Sequence, residues 1–383
     1  MRLKNKSRTR TAEARKQRLL SLLQKHGFNI YDDLDHGKFP QFVIPSRSVN
    51  NIVYDKKLRQ YVLGNASAVR SSRNMSQLRS YTQLAWLAFF VNRLVREGKS
   101  STLRDIYYSS QAFSIDFEDQ PESDNIIVDL EAVLTSPREE FHIFPEERSS
   151  VFGDLTIEYT VPGYEGRRVN LSDHPDGYLI GPSLSSAELV DTSAELVIAI
   201  EKGGLFTRFV EEKVHKKFKA IIVDTAGQAP RSTRNLLRRL NSELSLPVVI
   251  LADGDVYGEH IAMVIKSGSA NAAHLRELTV PDAKWLGVWA TDIEKYKLPT
   301  IPMTEADVKR IYDLQKDPRY QEGNWKKQLE VFLKLKRKAE LEAFSNMVSQ
   351  TSLISIFQQN WKNQRASNFF IRRVSTPFLY LKS

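Results

Sequence analysis

Three carboxylates and a pair of tyrosines stand out in this 383-residue chain as side chains whose setting suits chemistry. Two apolar, β-branched runs end in acids: Leu196-Val-Ile-Ala-Ile-Glu201-Lys202-Gly-Gly and Leu246-Pro-Val-Val-Ile-Leu-Ala-Asp253-Gly-Asp255. In parallel α/β sheets, functional groups gather at the carboxyl ends of strands. If the two strands are neighbours, Glu201, Asp253 and Asp255 converge on one small volume. Carboxylates that close repel one another unless a divalent cation sits among them, and oxygen ligands favour Mg2+, which keeps waters and binds phosphate. Gly254 lets the backbone turn between the aspartates, while Gly203 and Gly204 leave room for a ligand. Acids after strands also serve simply as caps of the next helix. Their recurrence after two separate strands favours the metal.

The second constellation is Leu103-Arg104-Asp105-Ile106-Tyr107-Tyr108. On a helix the two tyrosines point ~100° apart. Tyr107 follows Leu103 by four residues and faces the core; Tyr108 shares a polar face with Arg104 and Asp105. A phenol has a pKa of about 10, so it attacks as a nucleophile only with help in losing its proton. Arg104 is placed to hold a phosphate and to stabilise charge in the transition state. A tyrosine pair on a helix also has a plain packing explanation, which the sequence leaves open.

Other chemistry is poorly supported. The chain has no cysteine, which excludes disulfides, thiolate metal sites and cysteine nucleophiles and fits a reducing interior. None of the seven histidines stands at metal-ligand spacing, and no Walker A, Gly-x-Ser-x-Gly or Gly-x-Gly-x-x-Gly motif occurs. The longest apolar run, Leu84 to Val91, is far short of the ~18 residues of a membrane span, and no signal-peptide core follows the basic start. A protein of the cell interior with no membrane partner is expected. The net charge of +9 is unevenly spread: residues 1–30 carry +8, residues 321–383 carry +7, and the middle carries −6. A basic head and tail suit a polyanion. Arg231, Arg234, Arg238 and Arg239 recur along one helix and suit a phosphate backbone or, equally, a solvated face.

Residues 1–10 read as disordered. Thr11 to His26 read as an amphipathic helix stopped by Gly27, with Leu19, Leu20, Leu22 and Leu23 as a stripe for a partner protein. Phe42-Val-Ile opens a segment of strand character, and Lys57 to Gly64 looks like the second arm of a hairpin. Helices follow over Met75 to Gly98 and from a Ser-Ser-Thr cap to about Phe113. After a Gly- and Pro-rich connector, strands at Leu196, Ala220, Leu246 and Lys284 alternate with helices over Leu205 to Lys217 and Arg231 to Leu244. That alternation predicts a mostly parallel sheet. The segments expected are 1–68 (basic arm with partner-binding helix and hairpin), 69–150 (a winged-helix-sized block), 151–190 (connector) and 191–383 (α/β domain with a helical extension).

Taken together, Thr102-Leu-Arg-Asp-Ile-Tyr-Tyr108, Glu201-Lys-Gly-Gly-Leu-Phe206 and Asp253-Gly-Asp-Val-Tyr-Gly258 resemble the DNA topoisomerase VI A-subunit family, which includes the meiotic double-strand-break transesterase. Ile44-Pro-Ser-Arg47, Tyr54-Asp55, Glu122 to Asp129, Gly227-Gln-Ala-Pro-Arg231 and Trp325 to Glu330 stand in the same order, and the likeness spans roughly 20–350. Val256 replaces the usual proline, and Glu259-His260 replace the more common aromatic.

The resemblance implies an α/β multidomain protein: a winged-helix (5Y-CAP-like) domain with Tyr108 as nucleophile and Arg104 beside it, then a Toprim domain. Glu201, Asp253 and Asp255 would hold Mg2+, and Lys202, Arg231 and Arg234 are candidates for DNA phosphates. It further implies a homodimer on double-stranded DNA, partnered by a GHKL-type ATPase B subunit in an A2B2 heterotetramer. The location would be the nucleoid, or the nucleus in a eukaryote. A stand-alone break-forming transesterase and a Toprim nuclease are the alternatives; a non-catalytic DNA-binding protein fits the intact acids poorly.

Overall fold

A computed structural model describes residues 5–145, 148–275, 278–321 and 323–346. The expected basic tail beyond 346 and the first four residues lie outside them. The described residues fall into two compact units, one of those up to 248 with those of 263–283, the other of 249–262 with those from 284 to 346.

The first unit begins with helix α1 (Asn5–Asp35), which opens inside the stretch expected to be disordered and runs straight through Gly27. A glycine costs a helix about 1 kcal/mol without stopping it unless the chain turns left-handed. The leucine stripe is also reassigned. Leu19 and Leu23, one turn apart, are buried in the same core as Phe42, Tyr81 and Leu84, with Leu20 and Leu22 packed against that core. The expected partner stripe is therefore spent on folding, because burying each leucine gains roughly 2 kcal/mol.

Helix α2 (Met75–Glu97) starts at an Asn74 cap and ends where Gly98 turns left-handed at φ 63°. Helix α4 (Gln120–Leu134) packs on it and helix α3 (Leu103–Gln111) packs on α4, with Ile106, Ile126, Ile127 and Leu130 in the shared core. Phe42 belongs to a strand, Gln41–Pro45, that pairs antiparallel with Ser67–Ser71, while Ile52–Asp55 and Gln60–Leu63 form a separate hairpin. Lys57 to Gly64 thus holds the second arm of a hairpin, as expected, and Ile52–Asp55 is its first.

Further along the same unit, Leu196–Ile200 pairs parallel with Ala220–Asp224, and both strands are wholly buried. Ser150–Phe152 adds antiparallel to the far side of Ala220–Asp224, with Tyr178–Leu179 beyond it. Val197 N–H donates to Pro247 O at 2.9 Å, so the third apolar run enters beside the first. The helix Arg231–Leu244 forms over the range the sequence predicts.

The strand Val248–Leu251, which leads into the second unit, pairs parallel with Lys284–Gly287. Trp285 stacks on Trp325 at 5.0 Å between ring centroids, and Tyr320 and Phe332 are fully buried nearby. Among the described residues, no helix is long and apolar enough to cross a membrane.

Candidate active site

Helix α3 begins with a reciprocal cap. Thr102 Oγ1 accepts from Asp105 N–H at 3.0 Å, and Asp105 Oδ2 accepts from Thr102 N–H at 3.0 Å. Two of the donors that every helix start leaves open are thereby satisfied, which fixes the helix from its first residue. From that fixed start, Ile106 falls into the core, Tyr107 packs partly buried against it, and Tyr108 stands 53 % exposed. The Arg104 guanidinium carbon lies 5.7 Å from the centroid of the Tyr108 ring, within cation–π range. The Tyr107 and Tyr108 rings meet edge to face at 5.3 Å. The helical-face reading of the pair therefore holds.

Glu201 stands where it is expected, directly after the Leu196–Ile200 strand. Its carbonyl accepts from Gly227 N–H at 2.8 Å, and Lys202 opens the helix Gly203–Glu211. A fourth acid missed in the sequence reading ends the adjacent strand. Asp224 is buried, and burial raises its pKa although Ala226 N–H donates to its Oδ1 at 2.9 Å. Its Oδ2 lies 3.3 Å from where a Cβ on Gly203 would sit, so that glycine makes room for a carboxylate. The signal was present in the sequence: a third apolar run ending in an acid.

In the second unit, Asp253 and Asp255 flank a turn held from a distance. Gly254 N–H donates to Ala339 O at 2.7 Å, Ala339 N–H returns a bond at 3.0 Å, and Leu341 N–H donates to Asp253 Oδ1 at 2.8 Å. A Cβ on Gly258 would come within 2.2 Å of Asp253 O, so only glycine lets the helix Val256–Ser267 start this close to the turn. Asp255 Oδ1 caps that helix, accepting from Tyr257 N–H at 3.0 Å and Gly258 N–H at 2.7 Å. Burial raises the Asp255 pKa against these bonds and the nearby Lys338, whose ammonium pairs with Asp307 at 2.9 Å.

Carboxylate oxygens of this kind are the hard donors that Mg2+ takes, and the half-buried Asp255 is one of them. Among the described residues, however, no three acidic or histidine side chains form a group that could hold a metal ion. Glu201 belongs to the first unit, Asp253 and Asp255 to the second.

The arginines correct a second expectation. Arg231 Nη1 lies 2.6 and 2.7 Å from the two oxygens of buried Glu131, so its charge is spent inside the protein. Arg234 is buried, with its Nε and Nη1 atoms unpaired, and burial pulls its pKa down to about 10. Neither presents a charge to a phosphate backbone. A helical pattern tells which residues share a face, not what lies against it.

A mixed α/β sheet with acids at the ends of its parallel strands, and an exposed tyrosine beside an arginine on a helical region, fit a Toprim-type α/β protein. Residues 196–355 match the family model for the Toprim domain of the topoisomerase 6 A subunit and Spo11, and residues 79–143 match the type IIB DNA topoisomerase model. The A subunit of type 2 DNA topoisomerase 6 from Methanothermobacter thermautotrophicus is 44 % identical over 333 residues, covering 86 % of this chain and 93 % of that protein. The protein of the same name from Archaeoglobus fulgidus is 39 % identical over 323 residues, 83 % of this chain and 89 % of its own. That from Pyrococcus abyssi is 34 % identical over 348 residues, 86 % and 90 %. The chain belongs to the topoisomerase 6 A-subunit family of type IIB DNA topoisomerases. It is accordingly a DNA-cleaving A-type subunit, an enzyme of the isomerase class.

Proposed function

We propose that Tyr108 is the nucleophile of a reversible transesterification that opens both strands of a DNA duplex. The phenol oxygen bonds to a backbone phosphorus and takes over the 5′ phosphate; the 3′ oxygen leaves and picks up a proton as a hydroxyl. Reversal reseals the strand, so cutting consumes no nucleotide. The observation that carries this reading is the pairing of an exposed tyrosine with Arg104 one turn earlier on a firmly capped helix. The arginine's permanent positive charge meets the charge that builds on the phosphate oxygens.

The helical region bearing Tyr108 is read as a winged-helix domain. Glu201, Asp253 and Asp255 are the residues that would hold Mg2+, which supplies Lewis-acid stabilisation of phosphate oxygens when bound. Asp224, at the end of the neighbouring strand, adds negative charge on the Glu201 side. Lys202 remains the candidate for a DNA phosphate. Two copies of the chain would cut the two strands, and a GHKL-type ATPase B subunit would drive strand passage in an A2B2 assembly acting on chromosomal DNA.

Relaxation of supercoiled DNA on adding such an ATPase tests this reading against a dedicated break-former. Protein recovered covalently on DNA 5′ ends tests it against a nuclease. Cut ends bearing no protein would overturn the transesterase.

A further inference from the structure

Two buried carboxylates on α4 point to opposite sides, two residues and therefore ~200° apart. Asp129 takes Arg47 at 2.8 Å and Arg70 at 3.2 Å, tying α4 to the Gln41–Pro45 and Ser67–Ser71 ribbon. Glu131 looks the other way and has more partners. Its Oε1 accepts from Arg231 Nη1 at 2.6 Å and from Arg138 N–H at 2.8 Å; its Oε2 lies 2.7 Å from Arg231 Nη1 and 3.0 Å from His274 Nε2. The glutamate is fully buried, and the His274 side chain nearly so. A buried carboxylate is kept only where it is fully satisfied, and this one is satisfied by groups from two parts of the chain.

Those parts are the two matched segments. Glu131 and Arg138 lie in the segment matching the type IIB topoisomerase model, which also carries α3 and Tyr108. Arg231 and His274 lie in the segment matching the Toprim model, Arg231 as the first residue of its helix. Through Ile106, Ile127 and Leu130, α4 shares one core with α3. The glutamate is therefore an ionic joint one helix removed from the tyrosine.

We infer that Glu131 is a positioning residue for strand cleavage: its contacts with Arg231 and His274 hold the α3–α4 pair, and with it Tyr108, in register on the Toprim segment. The inference rests on Tyr108 being the nucleophile. In-line attack tolerates little displacement, and an error of about 1 Å can cost ~100-fold in rate. A directional joint supplies the needed restraint where apolar packing alone would allow sliding.

The test measures the cleavage rate, DNA affinity and melting temperature of the full chain in its active assembly, for wild type, Glu131→Gln and Glu131→Gln/Arg231→Met. The single variant should bind DNA within about twofold of wild type, cleave roughly 10- to 100-fold more slowly and melt earlier. The double variant removes the stranded guanidinium charge, so its melting temperature should recover. Its cleavage should stay slow, because the joint is still missing. If cleavage returns together with stability, or if Glu131→Gln cleaves at the wild-type rate, Glu131 is merely structural and the inference is overturned. Tyr108→Phe run alongside separates the two levels. Wild type forming covalent product while Tyr108→Phe does not leaves the tyrosine reading intact whatever Glu131 does. Wild type forming none defeats both.

Discussion

Arg104 sits one turn before Tyr108 with its guanidinium carbon 5.7 Å from the ring centroid, on a helix whose start is locked by a reciprocal Thr102–Asp105 cap. The arrangement gives the phenol a cationic neighbour without burying it. Replacing Arg104 by alanine should leave the fold intact, because the side chain is exposed, and should lower the rate of covalent DNA attachment by ~100-fold or more. Lysine should restore part of it. Single-turnover cleavage of a labelled duplex checks this, and an unchanged rate in Arg104→Ala would remove the arginine from the chemistry.

The Asp253–Asp255 turn leads to a prediction that separates structure from catalysis. Asp253→Ala strands the Leu341 N–H and should cost about 1–3 kcal/mol of stability, while Asp255→Ala loses a helix cap worth ~1 kcal/mol. Both should lose Mg2+-dependent cleavage, as should Glu201→Ala, while wild type should melt higher with Mg2+ than with EDTA. Gly258→Ala should be worse for folding than either aspartate variant, since its methyl group would meet Asp253 O at 2.2 Å. Thermal melts with and without Mg2+ provide the readout. A wild-type protein indifferent to the ion, cleaving in EDTA, would contradict the metal reading.

His260 supplies a pH dependence. Its Nδ1 lies 2.9 Å from Tyr320 Oη, and burial, reinforced by Arg310 and Arg319 against Asp317, pulls its pKa from 6.5 down to about 4. The folded state thus prefers the neutral ring. That preference contributes fully above the unfolded value of 6.5 and is lost as the pH falls toward 4, roughly 3 kcal/mol in all. Chemical denaturation across pH 7 to 4 should show this decline, and His260→Gln should flatten it. An equal slope in the variant would assign the loss to other groups.

Leu19→Ala should destabilise the first unit by about 2–5 kcal/mol, since the side chain is 1 % exposed in the shared core. Equilibrium unfolding measures this. A variant as stable as wild type would return the leucine stripe to the role of a partner surface.

Much of the fold was legible wherever local chemistry decides it. Gly98 ends α2, the Ser-Ser-Thr cap starts α3, and the four-residue spacing from Leu103 turns Tyr107 inward and Tyr108 outward. The strand-end acids were likewise readable, though Asp224 went unremarked at the end of a strand that had been recognised. Contacts made across long stretches of chain were not readable. Nothing near Asp253 announces that Leu341 will bind it, and nothing near Arg231 announces that Glu131 will neutralise it. Gly27 misled for the opposite reason: a residue that can end a helix does so only if the following chain leaves, and here it continues to Asp35.

The phenol oxygen of Tyr108 carries the whole of the proposed chemistry. Denaturing gels of the full chain incubated with 5′-labelled and 3′-labelled duplex DNA and Mg2+, after nuclease trimming, report which residue and which DNA end are joined. Wild type and Tyr107→Phe should both carry DNA on a 5′ phosphate, while Tyr108→Phe should carry none yet bind the duplex as wild type does. Covalent product persisting in Tyr108→Phe, or vanishing only in Tyr107→Phe, would contradict Tyr108 as the nucleophile.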